Sequence, residues 1–145
     1  MALENPRTTS VRQRDKDPDT FIGISLPAKR GQQGWFASTR TIQEQTKSNL
    51  KNLLMTVKGE RPFQPELGCE LFNVLFEPMD DDLASKIDSS IREAVELWLP
   101  HVNIKGIAVD LEPESNLVYI SLTFSTDIDP KATDSITLNL STAGE

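Results

Sequence analysis

Apolar residues recur along this chain with two different periods, and those periods divide it into helices and strands. Ile42, Thr46, Leu50, Leu53, Leu54 and Val57 fall at helical spacing, while Lys47, Lys51 and Lys58 lie off that face. This predicts an amphipathic helix of about four to five turns. Thr39 or Thr41 can cap its free N–H groups, and Glu44 stands three residues beyond Thr41, the spacing of a capping box. Gly59 is positioned to end the helix in the left-handed conformation. A second stripe, Leu83, Ile87, Ile91, Ala94, Val95 and Trp98, predicts a second helix, opened by Asp80 or Asp81 as N-cap and stopped by Pro100.

Period-two patterns frame these helices. Phe21, Gly23 and Ser25 alternate with Ile22, Ile24 and Leu26 in a strand pattern ended by Pro27, and Trp35 and Phe36 begin a second short extended piece, so residues 21–38 can form a hairpin. Val102–Leu111 changes phase near Gly106, which is how a β-bulge reads in sequence. Leu117–Phe124 sets Val118, Ile120, Leu122 and Phe124 on one face, the pattern of a half-buried antiparallel strand. After a polar loop, Asp127–Asp134, the alternation resumes with Ile136, Leu138 and Leu140 in a last strand. The expected fold is α+β, with two amphipathic helices packed on a mainly antiparallel β-sheet in a single domain, residues 21–145. Residues 1–20 contain too little apolar surface to order themselves and read as a flexible N-terminal arm.

One stretch departs from ordinary loop composition. Between the first helix and the apolar run Leu71, Phe72, Val74, Leu75 and Phe76 lies Gly59-Glu60-Arg61-Pro62-Phe63-Gln64-Pro65-Glu66-Leu67-Gly68. Pro62 and Pro65 forbid the helix from resuming, so the chain is expected to leave extended, and Gly68 allows a second sharp turn. Successive side chains of extended chain point to opposite sides, which leaves Glu60 and Arg61 poorly placed to pair with each other. Two readings stay open: each charge helps to fix the turn within the chain, or each meets a partner on another element or another chain.

Composition narrows the function classes. The net charge of −7 argues against non-specific nucleic-acid binding. Residues 1–40 nevertheless carry seven basic side chains against four acidic ones, and the rest of the chain eight against eighteen. That asymmetry fits either a basic arm docking on an acidic surface or a solvated tail. The single cysteine, Cys69, excludes an intramolecular disulfide, fits a reducing compartment and is expected to be a small buried hydrophobe. No apolar run approaches the roughly 20 residues of a membrane span, and the N-terminus has no signal-peptide core. Asp80, Asp81 and Asp82 splay around a helix start by about 100° each and do not converge on one metal ion. His101 cannot build a zinc site alone, and there is no Cys-His pair or Gly-rich phosphate loop. No metal, cofactor or small-molecule substrate is expected.

Leu53-Leu54-Met55-Thr56, then Gly59-Glu60-Arg61, Pro65, Gly68 and Leu75-Phe76-Glu77 resemble the signature of the small baseplate wedge proteins of contractile-tailed phages, a family that extends to type VI secretion baseplates and has carried a lysozyme-like label. With its flanking elements the resemblance spans roughly residues 20–126. It implies a structural, non-enzymatic component of the inner baseplate wedge, located in the tail baseplate of the virion and assembled in the host cytoplasm. Its implied partners are other baseplate wedge proteins and the tail sheath protein, with Glu60, Arg61 and Pro65 holding the wedge junction. The last strand, Ser135–Leu140, anchored by Ile136, Leu138 and Leu140, carries no Lys, Pro or bulge of the kind that blunts sheet edges, and so reads as an edge kept open. The resemblance would make it the template of the first sheath layer. The alternatives are a type VI secretion baseplate component and a tail-associated glycoside hydrolase. The last needs two carboxyl groups roughly 5 to 9.5 Å apart, one with a raised pKa, and although Glu60, Glu66, Glu70 and Glu77 are available, nothing in the sequence marks such a pair.

Overall fold

In the computed structural model, residues 20–26, 28–31, 35–75, 81–112, 114–115 and 117–141 are described. Helix α1 (Ile42–Met55) begins at the capping box. Thr41 Oγ1 accepts from Glu44 N–H, and Glu44 Oε2 accepts in return from Arg40 N–H at 3.1 Å, one residue earlier than the Thr41 N–H of the usual box. The helix ends at Met55, four residues before Gly59. Thr56 takes the extended conformation, its hydroxyl donates to Asn52 C=O and its N–H to Leu53 C=O, so a β-branched residue closes the helix. Val57 therefore leaves the stripe and forms a parallel bridge to Cys69.

The apolar run after Gly68 contains a short helix, α2 (Leu71–Leu75), whose Leu71 and Leu75 are buried. Helix α3 (Asp81–Trp98) follows; Asp81 is its first residue, while Asp80, the other candidate cap, lies outside the described residues. Its predicted stripe is buried from Leu83 to Val95, with Trp98 partly covered at the end. Cys69 is fully buried beside Ser90 of α3, as expected of a small hydrophobe.

Three strands form the main sheet: β3 (Val102–Glu112), β4 (Leu117–Thr126) and β5 (Asp129–Ser141), all antiparallel in the order β3-β4-β5. Its register aligns apolar residues in rows, Leu111 with Val118 and Leu140, Val109 with Ile120 and Leu138, Ile107 with Leu122 and Ile136. The helices cover this face, and each fully buried aliphatic side chain there contributes about 1.5–3 kcal/mol. The register slips between Ile104 and Gly106, where the phase change announced a bulge. The polar loop expected at Asp127–Asp134 is mostly strand: only Asp127 and Ile128 turn, and β5 starts at Asp129. Polar side chains are admissible in these residues because they are mostly exposed, so no apolar alternation marks them.

The N-terminal hairpin is shorter than the alternation suggested. Strand β1 (Gly23–Ile24) pairs with β2 (Ser38–Thr39), and not with Trp35-Phe36. It is tied to α1 by Leu26 N–H donating to Ser48 Oγ and by Thr39 Oγ1 donating to Gln45 Oε1. The proposed arm, save Thr20, lies outside the described residues.

Candidate assembly interface

The stretch from Val57 to Leu67 is a chain of three turns, and the expected extended exit does not form. Glu60 N–H bonds to Val57 C=O across Lys58-Gly59; Gln64 N–H bonds to Arg61 C=O across Pro62-Phe63; Leu67 N–H bonds to Gln64 C=O across Pro65-Glu66. Each turn has the residue its geometry needs. Gly59 has φ 92° at the third position of the first turn, and the prolines occupy the second position of the other two, where their fixed φ is already correct. Prolines that end a helix here start turns. The loop is closed by Gly59 N–H donating to Pro65 C=O at 2.7 Å and by Cys69 N–H donating to Thr56 C=O at 2.9 Å. Gly68, at φ 140°, lies so near the Thr56 carbonyl that a Cβ would sit 2.6 Å from its oxygen.

Glu60 and Arg61 leave this loop in different directions. Glu60 Oε2 accepts from Val57 N–H at 3.2 Å, and Arg61 Nη2 donates to Asn52 Oδ1 of α1 at 3.2 Å. Each thus has an intramolecular neutral partner that helps to hold the turn, yet neither has an oppositely charged partner among the described residues, and both are exposed. Pro65 is exposed as well, and Phe63, at the tip, is fully exposed. Beside Arg61 a cup of about 170 Å³ opens, bounded by Asn49, Asn52, Leu67 and Trp98, whose buried Nε1–H has no acceptor among the described residues. Asn52 and Trp98 were not legible as neighbours of Arg61, because nothing in sequence links two helices to one turn. Glu70, one of the candidate acids, pairs with Lys58 at 3.0 Å, and that hydrogen bond raises the lysine above its ordinary value against a smaller opposing effect of desolvation. Glu60, Glu66 and Glu70 are all exposed, so none occupies the apolar pocket a general acid needs; Glu77 lies outside the described residues.

At the other candidate surface, β5 is an outer strand of its sheet. Ile136, Leu138 and Leu140 point into the core, at 4%, 8% and 4% exposure. What β5 offers outward is therefore its backbone edge together with exposed Ser135, Thr137 and Asn139. A groove of about 430 Å³ runs beside Ser135–Thr137, walled by α1 and the hairpin. Neither this wall nor the exposure of Phe21, Ile24, Trp35 and Phe36 was legible in the residue pattern.

The fold is a small α+β domain that carries a charged, proline- and glycine-built turn on its surface. Residues 40–131 match the family described as baseplate wedge protein gp25. Over 97 residues the chain is 30% identical to the baseplate wedge protein gp25 of Enterobacteria phage T4, covering 67% of this chain and 74% of that protein. A crystal structure of a proposed tail lysozyme from Geobacter sulfurreducens shares the fold at a TM-score of 0.65 and 17% identity, over 71% of this chain and 93% of that one. A chain in the cryo-EM structure of the anti-feeding prophage baseplate does so at a TM-score of 0.55 and 17% identity, over 83% and 84%. The chain belongs to the baseplate wedge protein gp25 family and is a structural baseplate wedge protein.

Proposed function

We propose that this protein works in the inner baseplate wedge of a contractile phage tail, joining the wedge core through the Glu60-Arg61-Pro65 turn and starting the sheath at β5. The observation that carries the first part is the state of Glu60 and Arg61: two exposed charges on a turn locked by two prolines and two glycines, with no opposite charge among the described residues. A guanidinium so placed can take a partner carboxylate bidentately without reorganising. Other wedge proteins supply that partner, and the tail sheath protein meets the backbone edge of β5. Assembly takes place in the host cytoplasm, and the protein then resides in the virion baseplate.

Arg61→Ala is expected to block incorporation into baseplates while moving monomer stability by only about 0–1 kcal/mol, since its one intramolecular bond is exposed and neutral. Chemical denaturation of the monomer and sedimentation of assembled particles measure the two effects. A variant that unfolds but still assembles when stabilised would confine Arg61 to the turn.

The protein is not a glycoside hydrolase in this reading, because its exposed carboxylates lack the apolar surroundings that keep an acid protonated near neutral pH. Purified protein should release no soluble fragments from peptidoglycan. Lysis that disappears in Glu60→Gln or Glu66→Gln, with folding intact, would overturn this.

A further inference from the structure

The groove beside β5 is lined by more lysines than carboxylates. Its α1 wall carries Lys47 and Lys51, one helical turn apart and so on one face, and the loop after the hairpin's first strand adds Lys29. Lys47 is paired with Asp134 of β5 at 2.7 Å, but Lys29 and Lys51 have no carboxylate partner among the described residues. Glu44 is the one acidic residue among those lining the groove; it keeps its charge while accepting from Arg40 N–H, so the lining still holds three lysines to one carboxylate. A cationic groove in a chain of net charge −7 stands against the general field of the molecule.

Its floor is the outer strand of the sheet. Asp134 Oδ1 accepts from Ser135 N–H at 2.8 Å as well as pairing with Lys47, and among the described residues none is paired as a strand beyond β5. A segment added there would lie about 4.8 Å from β5 and aim alternate side chains toward the side that α1 covers. We infer that the groove receives an extended acidic segment of another protein, with carboxylates at alternate positions meeting Lys29 and Lys51 while its backbone pairs with β5. This rests on the reading of β5 as an edge that accepts a chain, and adds the chemistry of what it accepts. Residues 1–19 of the chain itself carry four basic and four acidic side chains, so they bring no net charge to match the groove.

The test uses the full chain and three synthetic nine-residue peptides that alternate Val with Glu, Thr or Lys. Amide hydrogen exchange is followed at Ser135–Asn139, and affinity by fluorescence anisotropy at low and high salt. The Glu peptide is expected to slow exchange in β5 and to bind about tenfold or more tightly than the Thr peptide at low salt, an advantage that high salt removes. Lys29→Glu with Lys51→Glu should abolish that advantage and transfer it to the Lys peptide, with the circular dichroism spectrum unchanged. Equal β5 protection by all three peptides would overturn the acidic partner and keep the open edge. Binding of the Glu peptide with no β5 protection, or no binding at all, would overturn the proposal and the open edge together. Protection already present in the free chain also overturns it: if it rises with protein concentration the occupant is a second copy, and if it is lost when residues 1–19 are removed the occupant is the chain's own arm.

Discussion

The β1–β2 hairpin and the β3–β5 sheet are both antiparallel, and both read in sequence as alternating apolar residues. In the sheet, β4 buries Val118, Ile120, Leu122 and Phe124 to within 1% exposure, because α1 and α3 lie across that face. In the hairpin, Ile22 and Ile24 are 41% and 50% exposed and Trp35 is 91% exposed. The hairpin reaches α1 mainly by hydrogen bonds, Leu26 N–H to Ser48 and Thr39 to Gln45, and stacks Arg40 over Phe21 at 5.2 Å. Alternation specifies which side chains share a face; it does not specify that anything covers the face. A two-stranded ribbon without a covered apolar face has little stability of its own. The stability of this protein should therefore reside in the sheet and helices, with the hairpin held as an appendage of α1.

The sharpest way to break that comparison is to cut a large aromatic side chain from each region. Phe124→Ala should lower global stability by about 3–5 kcal/mol, measured by urea denaturation, since the ring is enclosed and leaves a cavity. Ser48→Ala is a smaller cut at the joint: it leaves Leu26 N–H without its acceptor and should cost about 1 kcal/mol. Its signature is local. Amide exchange at Ile22, Ser25 and Ala37 should speed up while β4 keeps its protection. Trp35→Ala, although it removes the largest side chain in the chain's repertoire, should change stability by no more than about 0.5 kcal/mol. If Trp35→Ala costs as much as Phe124→Ala, the hairpin belongs to the core after all and the comparison fails.

Much of the fold was legible where a local pattern has a single structural solution. The capping box at Thr41 and Glu44, the stripe from Leu83 to Val95, the phase change at Gly106 and the apolar row of β4 each depend on residues near one another in the chain, and each appears in the structure. The misplaced boundaries have a common cause. Gly59 and the two prolines are compatible with several turn geometries, and the end of α1 was decided by Thr56, whose hydroxyl caps its own helix while Cys69 N–H, thirteen residues on, claims its carbonyl. Residues 129–134 became strand because Phe124 and its neighbours provide backbone partners, although their own side chains carry no strand signal.

At the assembly turn the same division holds. The expectation that Glu60 and Arg61 would not pair rested on an extended chain, which does not form; they take separate partners because the turns carry Glu60 back to Val57 N–H and Arg61 to Asn52. Residue order alone determined the two long helices, the strand patterns of β3 and β4 and the family signature, because backbone constraints from Pro, Gly and side-chain period act over a few bonds. Only the tertiary structure decided that Asn52 would meet Arg61 and that Lys29, Lys47 and Lys51 would gather around one groove. Those are juxtapositions of segments far apart in the chain, and they arise when helices and sheet bury their apolar faces against one another, a non-directional force that brings exposed polar groups together without any local code.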